Sequence, residues 1–179
     1  MIVFDLETQF LAAKVGGWGN KQAMRVAVAC SWDAENEYQL WWEAQAADLI
    51  DALDRDDLIV GYNVNSFDFQ VLGLYGDTSG FINKAFDIHE QIFKQTSRRV
   101  SLNVVANINL GEAKAQESGV VAVALWRTGR LEELAAYCQK DVELTRRLFE
   151  FWRDNGILWI SETEYAVWPG VDNLEDGEE

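Results

Sequence analysis

The first part of the chain alternates between short apolar runs and polar turns. Residues 2–6, 24–32 and 38–42 are rich in Val, Ile, Ala and aromatic side chains, and each run has the length of a strand. The glycine-rich segment 16–20 is typical of a turn or flexible loop, and residues 33–36 form a second polar turn. This pattern predicts a meander of three strands.

The rest of the chain mixes helical and strand periodicity. Residues 44–53 place apolar side chains at helical spacing, and the apolar run 58–62 is typical of a buried strand. We further predict a helix capped by Ser66 that reaches Leu74, and a short strand over 85–88 followed by a helix that Asp87 caps. The remainder is expected to be helical, with a long helix from about Leu131 to Asn155. Together these elements predict an α/β layer fold with a mixed sheet.

The length of 179 residues suits one domain, which we assign to residues 1–168. Residues 169–179 begin at the only proline and are acidic, so we expect a disordered tail. No apolar run approaches the ~20 residues of a membrane span, and Met1 leads directly into a strand without a basic leader. We therefore expect a cytoplasmic protein that makes no membrane contact.

The net charge of −15 is unevenly distributed along the chain. Residues 33–57 contain nine acidic residues against one basic residue, whereas residues 84–130 contain seven basic against four acidic. Phosphate binding usually shows as a basic footprint, and only the middle of the chain offers one. Two cysteines and one histidine, which we expect to be packing residues, leave carboxylates as the ligands for any metal, and carboxylates suit hard cations such as Mg²⁺.

Three polar motifs stand out against this background. Asp5 and Glu7 project from the same face of the first strand, where two carboxylates repel each other unless a cation compensates them. Asp68 opens a helix just after a buried strand, and Tyr137 lies one helical turn before Asp141 on the long helix. Taken singly, these residues also fit an exposed strand edge, a helix cap and an ordinary amphipathic helix.

In combination the motifs resemble a known family. Asp-x-Glu, Asn-x-x-x-Phe-Asp and Tyr-x-x-x-Asp follow the order and separation of the three exonuclease motifs of the DEDD superfamily. Ala136 stands where the histidine branch would need His, so the chain resembles the tyrosine branch (DEDDy), and residues 61–72 resemble the proofreading exonuclease of family-B DNA polymerases. The helix and glycine turn expected over 101–111 agree with this, although the glycine that often follows the first motif is missing.

The resemblance implies a ribonuclease-H-like, mixed five-stranded sheet flanked by helices, with two Mg²⁺ or Mn²⁺ ions. Asp5, Glu7, Asp68 and Asp141 would hold the two ions, with Asp5 bridging them, and Tyr137 would orient the attacking water. The substrate-binding residues implied by the resemblance, among them a wedge of Leu6 and Phe67 against the terminal nucleotide, are Leu6, Thr8, Asn63, Phe67 and Lys114.

The expected activity is 3′–5′ hydrolysis of DNA, from single-stranded or frayed ends, to nucleoside 5′-monophosphates. Nucleic acid is the expected partner, DNA before RNA, with a polymerase, helicase or other replication or repair protein acting in trans. Trp126 is a candidate for base stacking, and the candidates for backbone contacts are Lys94, Arg98, Arg99, Lys114, Arg127 and Arg130. The alternatives are an exoribonuclease of the same branch, a silent module that binds nucleic acid or protein, and an acidic structural protein with scattered carboxylates.

Overall fold

A computed structural model describes residues 1–112 and 119–171 of the chain. The strands are β1 (Ile2–Thr8), β2 (Val26–Asp33), β3 (Glu37–Trp42), β4 (Ile59–Gly61), β5 (Ala85–Asp87), β6 (Ile157–Trp159) and β7 (Tyr165–Val167). The α-helices are α1 (Ala46–Arg55), α2 (Asp68–Leu72), α3 (Ile88–Thr96), α4 (Leu102–Leu110), α5 (Gly119–Arg127) and α6 (Leu131–Asn155). None of the helices in the described ranges is long and apolar enough to cross a membrane.

Five strands form one mixed sheet in the order β3-β2-β1-β4-β5. β1 and β3 pair antiparallel with β2, while β4 pairs parallel with both β1 and β5. The predicted mixed five-stranded sheet flanked by helices is confirmed. Because β1, β4 and β5 run in the same direction, the residues that follow them emerge at one edge of the sheet.

Helices cover both faces of this sheet and create two hydrophobic cores. On one face Phe4 and Leu6 pack with apolar residues of α1 and α2. On the other face Val3 packs with α3, α4, α5 and α6. Alternation along β1 therefore directs Asp5 and Glu7 toward the same side as Val3, which is the side of α6.

The helix α6 is the longest element and has the predicted limits. It packs against β1, β2 and β4, and its buried face includes Leu134, Leu144, Leu148 and Trp152. Gly156 ends it in the left-handed conformation, with a φ of 76°. This packing places the amino-terminal half of α6 above the carboxylates of β1.

The structure corrects two details of the predictions and decides a third. Ser66 does not cap α2, because the N-cap residue is Phe67 and the Ser66 hydroxyl donates to Asn63 Oδ1 instead. Of the turn or flexible loop predicted over 16–20, the structure shows a turn, since Trp18–Met24 forms 3₁₀ turns. After α6 the chain is not purely helical, since β6 and β7 pair as a small antiparallel sheet.

The predicted cap of α3 and the helix predicted over 101–111 are confirmed. Asp87 does cap α3, where its side chain accepts from Glu90 N, and Ser101 and Gly111 bound α4. Trp168 packs against the rings of Phe86, Phe149 and Trp152. Residues 172–179 of the expected tail lie outside the described residues.

Candidate active site

Asp5 and Glu7 lie side by side on the central strand. Both are half-buried, while their neighbours Phe4, Leu6 and Thr8 are buried, so the two carboxylates share the α6 side of the sheet. β2 and β4 flank β1 on its two sides, which gives the strand a rigid backbone. The predicted common face of the two carboxylates is confirmed.

The helix α6 brings a third carboxylate to this pair. Asp5, Glu7 and Asp141 each offer one oxygen, and these oxygens all lie within 4.8 Å of one another. The Cys138 thiol fixes helix and strand together by donating to the Asp5 carbonyl oxygen at 3.4 Å. Burial, together with the nearby carboxylates of Asp5, Glu7 and Asp141, raises the pKa of Cys138 well above its ordinary value, so the thiol keeps this proton.

Asp68 reaches the site from the beginning of α2. It is 3% exposed, and its Oδ1 accepts from the backbone N–H of Leu6 at 3.1 Å, between the two carboxylates of β1. Burial raises the pKa of Asp68 to about 8, with Asp87 and Asp141 adding to the effect. Asp68 therefore borders the three-carboxylate group through the Leu6 amide, although it is not one of the three whose oxygens lie within 4.8 Å.

The turn of residues 61–67 carries the chain from β4 to Asp68. Gly61 is required there, because a Cβ on this residue would lie 2.1 Å from Val64 Cγ1. Asn63 has a φ of 68°, a conformation that Asn adopts more readily than most residues. Asp87 holds the turn from β5, since its carboxylate accepts from Asn63 N at 2.7 Å and from Asn65 N at 3.0 Å.

The three carboxylates fit a divalent metal. Their charges repel one another at this separation, and a divalent cation bound between them would offset that repulsion. Oxygen ligands of this kind suit hard cations such as Mg²⁺ or Mn²⁺. Asp5, Glu7 and Asp141 would hold the metal, with Asp68 beside them.

Tyr137 lies one helical turn before Asp141 on α6 and is half-buried against the larger core. Because residues four apart lie on the same face of a helix, the phenol is directed toward the side of α6 that carries Asp141. The structure thus brings Tyr137 and the four predicted carboxylates to one edge of the sheet. Their catalytic roles stay predictions.

The predicted substrate-binding residues divide into three groups. Leu6 is 3% exposed inside the α1/α2 core and Thr8 donates to Phe10 O, so neither side chain reaches the carboxylate side of β1. Asn63 and Phe67 line an open cavity beside the 61–67 turn. Lys114 lies outside the described residues.

Several of the predicted backbone-binding cations are held by carboxylates. Lys94 pairs with Glu90, Arg98 with Glu164 and Arg130 with Glu133. Trp126 is half-buried against the larger core. The exposed nucleic-acid contacts expected at these positions therefore stay predictions.

Two residues that organise the site are absent from the three predicted motifs. Asp87 was expected only to cap α3, yet it also holds the 61–67 turn. Its position at the end of β5, next to the end of parallel β4, is the signal that could have revealed this. Cys138 was expected to be a packing residue, and its contact with Asp5 depends on the docking of α6, which no local pattern encodes.

Comparisons with known proteins agree with this architecture. A family model described as the RNase H superfamily matches residues 2–153. The family B DNA polymerase from the hyperthermophilic archaeon Pyrobaculum calidifontis has a similar structure, with a TM-score of 0.61 and 18% identity over 83% of this chain. This chain covers 24% of the polymerase chain, and at this identity the likeness shows a shared fold. No curated protein matches. Since the family model spans most of its length, the chain belongs to the RNase H superfamily.

Proposed function

We propose that the protein is a metal-dependent 3′–5′ exonuclease of the tyrosine branch of the DEDD superfamily. The observation that supports this proposal most directly is the meeting of Asp5, Glu7 and Asp141 within 4.8 Å, with Asp68 bound to the strand between the first two. A silent module or an acidic structural protein has no need to gather carboxylates from three separate segments. A nuclease of the RNase H superfamily does.

The chain's own contribution to the reaction is positioning. When bound, two divalent ions would supply charge stabilisation to the phosphodiester and lower the pKa of a water molecule. Asp5 and Glu7 are held by the central strand, and Asp141 by a helix that the Cys138 thiol ties to Asp5. Ligands on such rigid elements keep their geometry without reorganisation during the reaction.

Tyr137 orients the attacking water in this proposal. A phenol with an ordinary pKa near ~10 is a poor base at neutral pH, so a hydrogen bond that directs the water is its more effective role. We expect Tyr137→Phe to lower kcat by up to about 100-fold, because a misplaced nucleophile is costly. Isothermal titration with Mn²⁺ should show near-normal metal affinity in this variant. An equal loss of metal affinity would show that Tyr137 supports the carboxylates instead.

The proposed substrate is DNA that is single-stranded or frayed at its 3′ end. The likeness in fold to part of a family B DNA polymerase favours DNA, and an exoribonuclease of the same branch is the second candidate. We also propose a polymerase, helicase or other replication or repair protein as a partner, because the likeness in fold is to part of a polymerase.

The decisive experiment follows the shortening of 5′-end-labelled DNA and RNA oligonucleotides with Mg²⁺, with Mn²⁺ and with a chelator. We expect a ladder that shortens stepwise from the 3′ end, faster on DNA, and that disappears with chelator and in Asp5→Ala and Asp141→Ala. Asp51→Ala is the matched control, because Asp51 is exposed on α1, across the sheet from the site. Undiminished activity in both site variants would reject the proposal.

A further inference from the structure

An open cavity of about 600 Å³ adjoins the 61–67 turn, within the size range of ligand pockets. We call it the Trp18 cavity. Its walls include Trp18, Lys21, Tyr62, Phe67, His89 and Arg99. The cavity thus combines four aromatic rings with two cationic side chains, and none of these six side chains is a carboxylate.

Trp18 is unusual among the aromatic residues of the chain. It is 67% exposed, the highest value among the large hydrophobic side chains in the described residues. Its ring meets the Phe67 ring edge to face, with the centroids 6.2 Å apart, and it lies in the 3₁₀ segment Trp18–Met24. An exposed indole supported at one side presents a flat apolar surface on which an unpaired base can stack.

The two cations of the cavity keep their charge available. Lys21 Nζ donates to the neutral amide oxygen of Gln70 at 3.0 Å, and the Arg99 guanidinium lies over the ring of Phe93. Within residues 1–112 and 119–171, neither side chain forms an ion pair with a carboxylate. In a chain with a net charge of −15, two such cations beside one exposed indole offer a local attraction for phosphate.

The 61–67 turn joins the cavity to the candidate active site. Asn63, Ser66 and Phe67 line it, and the next residue is Asp68, whose carboxylate binds the Leu6 amide of β1. A DNA strand whose terminal phosphodiester lies at the carboxylates would therefore pass close to the cavity. Aromatic rings interleaved with cations are the usual surface for single strands.

We infer that the Trp18 cavity binds a nucleotide on the upstream side of the scissile phosphodiester of a single-stranded DNA substrate. Trp18 stacks on its base, and Lys21 and Arg99 contact the flanking phosphates. This inference rests on the proposed exonuclease function for the direction of the strand. The ability of the cavity to bind a single strand can be measured without hydrolysis.

Binding is measured by fluorescence anisotropy with a 5′-fluorescein-labelled decathymidylate in an Asp141→Asn background, which prevents degradation of the probe. We expect Trp18→Ala to raise Kd about 5- to 150-fold, the range for loss of one base–aromatic stack, and Trp18→Phe to restore most of the affinity. Tyr165→Ala is the control, because Tyr165 is 48% exposed on the separate sheet of β6 and β7.

Base removal locates the stacked nucleotide. A set of probes carries one abasic site each, at successive positions from the 3′ end. At one of these positions, loss of the base should weaken binding to the protein with Trp18 but not to Trp18→Ala. For Lys21→Gln and Arg99→Gln we expect a smaller slope of log Kd against log salt, by about 0.7 for each phosphate that the variant no longer neutralises. Arg153→Gln is the charge control, since Arg153 lies twelve residues beyond Asp141 on α6.

The outcomes distinguish failure of the cavity inference from failure of the exonuclease proposal. Hydrolysis of thymidine 5′-monophosphate p-nitrophenyl ester by the native chain tests the carboxylate site without an upstream nucleotide, while KM for the oligonucleotide should rise in Trp18→Ala. If the native chain hydrolyses neither substrate, the exonuclease proposal fails, and the binding data still decide the inference. A Kd for Trp18→Ala within twofold of the parent, or additive effects of base removal and Trp18→Ala at every position, would overturn it.

Discussion

Asp87 offers the sharpest test of how the candidate site is held together. The residue is 2% exposed, and its carboxylate accepts backbone N–H bonds from Asn63 at 2.7 Å, Asn65 at 3.0 Å and Glu90 at 3.2 Å. Hydrogen bonds to charged groups contribute about 1.5–3 kcal/mol each, so three would contribute about 4.5–9 kcal/mol. Burial nevertheless raises the pKa of Asp87 despite these bonds, so the carboxylate carries a desolvation cost that its removal relieves. We therefore expect Asp87→Ala to lower the free energy of unfolding by a smaller amount, about 3–5 kcal/mol.

Urea denaturation followed by circular dichroism measures this loss. Asp33→Ala is the matched control, because Asp33 also accepts from two backbone N–H groups, those of Glu35 and Asn36, but in an exposed turn. Its loss should be about 0.5–1 kcal/mol, since water replaces the missing acceptor. Asp87→Asn should lose a smaller amount of stability than Asp87→Ala, because its amide oxygen can still accept from Asn63 and Glu90 while its NH₂ would face the N–H of Asn65. Equal losses for Asp87→Ala and Asp33→Ala, or a native value for Asp87→Asn, would refute the assignment of Asp87 as the residue that positions the turn before Asp68.

Two further substitutions probe the same edge of the sheet. Gly61→Ala should cost about 1–3 kcal/mol in urea denaturation, because the new methyl group would meet Val64 Cγ1 at 2.1 Å, and this cost should be smaller when it is measured in a Val64→Ala background. The raised pKa of Asp68, about 8 in the folded chain, stabilises the metal-free protein below pH 4, and this stabilisation is lost as the pH rises through 8. In the presence of chelator, the free energy of unfolding of the native chain should therefore fall by up to about 5 kcal/mol more between pH 4 and pH 9 than that of Asp68→Asn. Parallel pH profiles of the two proteins would contradict this.

The long periodic elements could be predicted from the sequence, whereas the short ones could not. The apolar stripe of α6 continues along the whole helix, so its limits at Leu131 and Asn155 are evident in the pattern. β6 and β7 have three residues each, too few for alternation to show. Their position also depends on Asn109, which hydrogen-bonds the backbone of Trp159, a residue distant in the sequence. A partner at that distance leaves no local signal.

The candidate site shows the same division between local and distant determinants. The period of two along β1 predicts a shared face for Asp5 and Glu7, and the same period places Leu6 on the opposite face, where the structure buries it. A wedge of the Leu6 side chain against a nucleotide was therefore inconsistent with the strand pattern itself. The contribution of Leu6 is its amide, which binds Asp68, and a backbone contact between distant segments cannot be deduced from side-chain type.

The acidic composition is compatible with a nucleic-acid substrate because the sheet separates the charges. The acidic segment 33–57 forms the β2–β3 turn, β3 and α1, and α1 packs on the face of the sheet opposite to α6. Charges more than about 8 Å apart are largely screened at physiological salt, so this surface acts weakly at the edge that holds the carboxylates. Nearby groups set the electrostatic potential at that edge. These groups are the carboxylates with the divalent cations that they would hold, and Lys21 and Arg99 in the Trp18 cavity. At lower salt concentration the acidic face repels a strand over a longer distance. This repulsion offsets part of the increase in phosphate binding that low salt produces in basic nucleic-acid-binding proteins.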